Sequence, residues 1–469
     1  MSRSTAAELG FRTLTDERTG ASLPISGTVP AWLSGTLIRN GPGRFDAGGG
    51  VNHWFDGLAM LRRYSFADGE IEYTNRFLRT EAYDRAEAGE PTRQFATGAS
   101  GLAELRRWIR ALGPPEPTDN ANVHLARIGD RFVAQTEVPR WIEFDPHTLE
   151  TVGEFYFDDG VSTQMATAHF VVDDHRGESI GYGLSFGRRT EYVVYRVPHG
   201  SDEREVIGRV TAAGPGYVHD IAVTPNYVVL LEPPLHIDVL RGLAPWTEGF
   251  AGMLSYDADA GTRIVVLDRE TGEIVADPTV DPFFVFHHVN AFERDGAVVL
   301  DLVAFADADI VDALGLDELR SGGFAAAPDG HLTRYRVDPR TGEVANERRH
   351  PGGIELPTVP PAVRTKPYRY AYGQATDRTG ANGLVKVDVE AGTAAEWWEE
   401  GTYVEEPRMV QRPDGNREDE GVVLAPALDT DAERTDLLVF DAETLQLRAR
   451  ARLPHAVPFG FHGRYFPEL

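Results

Sequence analysis

Four histidines, His169, His219, His287 and His462, each lie inside a short apolar or glycine-rich string: Thr167 to Phe170, Tyr217 to Ile221, Phe286 to Glu293 and Pro458 to Gly463. Imidazole is the commonest protein ligand for borderline first-row metals, so the four read as ligands of one ion. They are separated by 50, 68 and 175 residues. Convergence therefore requires a fold that brings distant segments to one axis. Taken singly, each would serve equally well as a hydrogen-bonded core histidine. The other histidines, including His53, His124, His147, His175, His199 and His350, read mostly as surface or turn residues. Nucleophile chemistry is not suggested: the string from Gly181 to Ser185 lacks nucleophile-elbow spacing, and Gly48 to Gly50 is followed by no Lys-Ser/Thr, so it is no phosphate loop.

Composition narrows the chemistry further. The chain has no cysteine, which excludes disulfides, thiolate metal sites and iron–sulfur clusters. It has 73 acidic against 46 basic residues over 469 positions, a net charge of −27, and its only lysines are Lys366 and Lys386. Such a surface repels phosphates, so nucleic acid is not an expected partner. The acids are spread along the whole chain, which suits a halophilic host whose salt screens self-repulsion better than it suits an acidic interaction tail. No basic segment leads into an apolar run near the N-terminus, and no 18-residue apolar stretch occurs. A cytoplasmic protein is the expectation.

The elements that would position the histidines read as strands. A turn signature recurs from Asp145 to Glu150, Asp268 to Glu273, Asp338 to Glu343, Asp388 to Thr393 and Asp441 to Gln446, each after an alternating or buried-strand segment. Looser hairpins fit Leu61 to Phe77 and Tyr192 to Val210, for seven in all. Repeated units of this kind are the sign of a β-propeller, whose blades point their inner strands at one axis; a two-sheet β protein is the alternative. Residues 98–113 and 306–321 read as short helices. The stretch from Pro233 to Leu254 has apolar residues at roughly helical intervals, with Trp246 and Phe250 on one face. It is either a core-capping helix or an interfacial surface.

At this level a family resemblance emerges. The strings Ile38 to Phe45, His53 to Met60, Gln135 to Glu137, Phe286 to Glu293, Glu418 to Leu424 and Gly460 to Gly463 resemble, in order, those of the carotenoid cleavage oxygenases, which include the visual-cycle retinoid isomerohydrolase and the stilbene-cleaving oxygenases. The resemblance runs from about residue 20 to the end. It implies an all-β fold, one seven-bladed propeller domain over 1–469, with short helical insertions capping the axis. It further implies one non-haem Fe(II) per chain on His169, His219, His287 and His462, with no carboxylate ligand; His288 is not a ligand. Three glutamates should stand behind the histidines, Glu137, Glu355 and Glu406, with Glu405 an adjacent competitor. The physical reason is general: a carboxylate accepting the second imidazole N–H fixes tautomer and ring orientation.

The implied activity is dioxygenase cleavage of a conjugated C=C bond of a carotenoid or apocarotenoid, with O2 and an apolar polyene as partners. Phe55, Phe66, Trp141, Tyr217, Phe286 and Phe461 are candidate tunnel walls, although blade packing explains each equally well. Residues 233–254 would supply peripheral contact at the inner membrane face. Two alternatives stand beside this reading. One is cleavage of a stilbene or other phenylpropanoid alkene, for which phenolate binding would fall to Tyr83, since no lysine lies near Glu137 in the sequence. The other is a non-catalytic propeller that binds a hydrophobic ligand.

Overall fold

The computed structural model describes residues 7–46, 49–90, 94–98, 105, 117–242, 244, 246, 247, 249–378 and 380–469. Seven antiparallel sheets form the blades of a β-propeller. Four are built from successive strands in chain order, such as Phe284–Arg294, Ala297–Phe305, His331–Val337 and Val344–Arg348. Both ends of the chain close the ring. The C-terminal strand Gly463–Phe466 pairs with Gly35–Arg39 in register Arg39 to Gly463 and Leu37 to Tyr465, while Ile25–Gly27 adds to Leu447–Arg452 of the last blade. A closed ring leaves no inner edge strand unpaired at the seam.

The recurrent turns owe their shape to local chemistry. Oδ1 of Asp145, Asp268, Asp338, Asp388 and Asp441 accepts the amides two and three residues on. The residue four past each aspartate sits in the left-handed region: Gly272, Gly342 and Gly392, but Leu149 (φ 60°) and Leu445 (φ 55°) where the sequence has no glycine. The aspartate anchor is thus strong enough to hold a leucine there. The two looser hairpins are also present, joining Leu58–Ala67 to Glu70–Phe77 and Glu191–Pro198 to Glu205–Thr211.

The insertions correct one expectation and support another. Asp309–Ala313 and Leu316–Gly322 are helices, as expected within 306–321. The proposed helix over 98–113 lies almost wholly outside the described residues. Residues 233–254 are not one helix. Leu235–Ile237 pairs with Leu254–Tyr256, and the described residues between hold a single helical turn, Val239–Gly242, and a 3-10 turn, Ala251–Met253. Prolines at 233 and 234 and a backbone contact at Gly249 break the period. Gly249 has φ 57° and lies so close to the chain at 94–96 that a Cβ would fall 2.4 Å from the Phe95 carbonyl oxygen. Leu243 lies outside the described residues. Among those described, no helix is long and apolar enough to cross a membrane.

Candidate metal centre

Each of the four histidines comes from a different segment near the propeller axis. His169 follows the strand Met165–Ala166, and Thr167 Oγ1 accepts its amide at 2.9 Å while sitting 3.3 Å from the His219 carbonyl oxygen. One hydroxyl therefore ties two of the segments together. His287 lies on Phe284–Arg294, whose pairing slips between Val285 and His288 and again between His288 and Asn290. Such irregularities re-aim side chains beside active sites. His462 immediately precedes Gly463–Phe466, so closure of the ring also sets this histidine.

All four are buried, and their nearest ring nitrogens lie within 4.8 Å of one another. That spread is close to twice a metal–imidazole bond of about 2.0–2.1 Å. Carboxylates stand behind three. Nδ1 of His219 is 2.6 Å from Glu137 Oε1, Nδ1 of His287 is 2.7 Å from Glu355 Oε2, and Nδ1 of His462 is 2.9 Å from Glu406 Oε1. A carboxylate only accepts, so each Nδ1 carries the proton and each Nε2 presents a lone pair inward. The fit to a cation follows from two orphaned contacts. His287 Nε2 and His462 Nε2 face each other at 3.3 Å, and buried His169 Nε2 has no partner among the described residues. Lone pairs left facing one another in a dry interior are unfavourable, whereas an ion between them satisfies all three. Burial, then the neighbouring imidazoles, hold His169 well below the ordinary histidine range, and burial, then His287 and Arg408, do the same for His462. For His287 burial opposes charge, but Glu355 outweighs it and the value rises.

The glutamates are themselves held. Tyr217 Oη donates to Glu137 Oε2 at 2.7 Å. Glu355 accepts the Leu356 amide across a residue with φ 48°, an unusual conformation for leucine at the edge of the site. Glu406 accepts from Arg39, from Arg408 at 2.6 Å and from the Gly463 amide at 2.9 Å. Glu405 turns elsewhere, to Arg39 at 3.2 Å and the Gly460 amide. Glu406 is therefore the neighbour that faces His462.

One face of the cluster opens into a cavity of about 670 Å³ lined by His219, His287 and His462 together with Phe55, Tyr217, Phe286 and Phe461. Two of the six proposed wall residues are not there. Phe66 packs in a blade core against Tyr465, and Trp141 packs against Phe155, Phe157 and Phe170 while its indole N–H donates to the Thr136 carbonyl. Both follow strand alternation into the interior between blades instead of the axis. Phe95 and Phe250 line the cavity instead, brought there by the docking of 249–251 on 94–95. Tyr83 lies under Arg79 and does not line it.

Sequence reasoning also missed the histidines beyond the ligands. His53 and His350 are buried, not at the surface. The His124 ring stacks on His462 at 5.0 Å and 19°, and meets His169 edge-on. Nothing local marks His124, because its ring neighbours, His169 and His462, are distant in sequence. Arg39, within the string Ile38 to Phe45, and Arg408, two residues past Glu406, carried no assigned role.

Comparison with known proteins agrees with this geometry. The model of the retinal pigment epithelial membrane protein family matches residues 11–467. The chain is 35% identical to carotenoid cleavage dioxygenase 8 homolog A, chloroplastic, of rice, over 96% of this chain and 86% of the relative. It is 30% identical to mouse beta,beta-carotene 15,15'-dioxygenase, over 95% and 88%. An apocarotenoid oxygenase of Synechocystis superposes with a TM-score of 0.88 at 26% identity, covering 99% of this chain and 98% of that one. The four-histidine cluster fits the iron site of such homologues. The chain belongs to the retinal pigment epithelial membrane protein family, that of the carotenoid cleavage dioxygenases.

Proposed function

We propose that this protein is an Fe(II)-dependent dioxygenase, one ion per chain, that cleaves a conjugated C=C bond of a carotenoid or apocarotenoid into two carbonyl fragments. Both atoms of O2 end in the products, one on each carbon of the broken bond. The observation that carries this is the convergence of four buried imidazoles on the wall of an aromatic cavity. His169, His219, His287 and His462 would hold the iron, which would supply the O2 chemistry, and neutral imidazoles would leave its charge intact.

The chain's own groups do the rest. Glu137, Glu355 and Glu406 keep the Nδ1 protons of three ligands and so aim their Nε2 atoms inward. Phe55, Tyr217, Phe286 and Phe461 form walls that exclude water and accept a flat, apolar polyene. The position of a double bond beside the histidines is then selected by how far the substrate slides along those walls.

The insertion at 233–254 offers a route for such a substrate. Leu240 and Trp246 are 78% and 73% exposed, while Val239 and Phe250 of the same insertion line the cavity. Exposed apolar tips next to a cavity mouth suit peripheral contact with a bilayer, by apolar burial and not by charge. We assign the whole chain to one propeller domain, because both its ends are strands of the same closed ring. Anaerobic loading with Fe(II), followed by chromatography of products from carotenoids, apocarotenals and stilbenes in air, tests the function. Two carbonyl products from a polyene support it; turnover of stilbenes alone, or iron without O2 uptake, overturns it.

A further inference from the structure

The ligand segments leave the cavity as they pass the histidines. Phe461 and His462, Tyr217 and His219, and Phe286 and His287 line it, whereas Arg464, Asp220 and His288 do not. On that far side the chemistry changes from aromatic to basic. Glu405 and Glu406 are already matched there by Arg39 and Arg408. Beyond them lie Arg364 and Arg464, both half-buried, and neither guanidinium has an ion pair or hydrogen bond among the described residues. They are close enough to feel each other: burial, then Arg464 and Arg408, push Arg364 down to about 10. The acid facing both is Asp174, which is exposed. Glu468 also faces Arg464 but is 2.9 Å from Arg127.

The loop that presents Arg364 is held in place at a conformational cost. Asn290, three residues past His287, donates from Nδ2 to the Val363 and Lys366 carbonyls at 2.9 and 3.1 Å and accepts the Thr365 amide at 3.0 Å. Between them Thr365 is buried with φ 62°, a strained conformation for a β-branched residue. The clamp fixes the loop that carries Arg364 beside the segment of His287, and the ammonium of Lys366, one of the chain's two lysines, lies 3.4 Å from His175 Nδ1, next in sequence to Asp174. In a chain of net charge −27, two guanidinia that share one exposed acid, Asp174, are left short of negative charge.

We propose that Arg364 and Arg464, backed by Arg408 and flanked by Lys366, bind a small oxoanion, a phosphate or a carboxylate, at the end of the propeller axis remote from the cavity. Planar guanidinium forks match both anions in bidentate fashion, and partial burial strengthens each contact. The occupant would join the loop 363–366 to the strands Arg408–Gln411 and Gly463–Phe466, which flank Glu406 and His462.

Calorimetric titration of the full, iron-loaded chain with inorganic phosphate, and separately with acetate, at ionic strength fixed by sodium chloride tests this. The expected result is one saturable site for at least one of the two anions. Its affinity should fall roughly tenfold or more in Arg364→Gln and in Arg464→Gln, the scale of a lost hydrogen bond to a charged group, less in Lys366→Gln, and stay unchanged in Arg188→Gln, an exposed arginine elsewhere. Saturation by phosphate alone, or by acetate alone, identifies the class of occupant. No saturable heat with either anion overturns the proposal. So does binding that persists in Arg364→Gln, as an anion held at the histidine cluster would. Circular dichroism checks folding; should Arg464→Gln unfold, the loop variant Arg364→Gln decides.

Discussion

His287 and His462 face each other through their Nε2 atoms at 3.3 Å, while Glu355 and Glu406 hold their Nδ1 protons from behind. Two imidazoles so oriented repel without a cation between them, so the pair fits a metal ion by its electrostatics as well as by its donor types.

Replacing any one of His169, His219, His287 or His462 by Ala should therefore strip iron and abolish cleavage, yet leave the propeller folded, because the apolar cores within and between the blades contain none of the four. Metal analysis with circular dichroism on the purified variants checks this. Full iron in three of the four would show that the assignment is wrong.

The glutamates should separate by their second partners. Glu137→Gln, Glu355→Gln and Glu406→Gln should each lower iron affinity or activity roughly 10- to 100-fold. Glu406→Gln should in addition destabilise the fold by about 3 kcal/mol, since it leaves Arg39 and Arg408 buried beside a neutral amide. Glu405→Gln should spare iron. Denaturant melts set beside iron titrations distinguish the two effects.

His53 gives a pH signature away from the metal. Burial lowers it from 6.5 to about 4 in the folded protein, against the opposing hydrogen bond to Val311. A depressed value means its contribution is present above pH 6.5 and is lost as pH falls toward 4, because the unfolded chain takes up the proton first. The loss amounts to about 3 kcal/mol. Between pH 7 and 4.5, His53→Asn should show a shallower fall in Tm than the wild type; equal slopes would remove His53 from the account.

With a net charge of −27, stability should rise with salt. Self-repulsion acts over about 30 Å at 0.01 M and about 3 Å at 1 M. A Tm that fails to rise between those conditions would remove the case for a salt-adapted chain.

Trp246 and Phe250 should part company. Trp246→Ser, at an exposed tip, should weaken liposome association and turnover of membrane-embedded carotenoid while sparing a detergent-solubilised apocarotenal. Phe250→Ser, in the cavity wall, should slow both substrates. Equal effects of Trp246→Ser on the two substrates would take the insertion out of membrane contact.

What could be read from the sequence was what local chemistry specifies. The aspartate-anchored turns announce five of the seven hairpins because each is closed by hydrogen bonds within a few residues, as from Asp441 to Thr444. Apolar strings around His169, His219, His287 and His462 announce burial, and the resemblance of several strings in order gives them one destination. The tertiary structure alone decided what depends on direction and on distant neighbours. Glu405 and Glu406 are adjacent and alike in sequence, and both reach Arg39, yet in the connection between Thr402–Val404 and Arg408–Gln411 only Glu406 faces His462, while Glu405 turns to the Gly460 amide. Phe66 and Trp141 are as aromatic as Phe55 and Phe461, but their strands turn them between blades. Residues 233–254 keep an apolar count that suits a helix, and the close approach of Gly249 to Phe95 bends them into a hairpin with a cavity-lining end. His124 and the arginines at 364, 408 and 464 gain their neighbours only when the ring closes, since periodicity records which face a residue prefers and nothing of what the other side of the molecule brings to meet it.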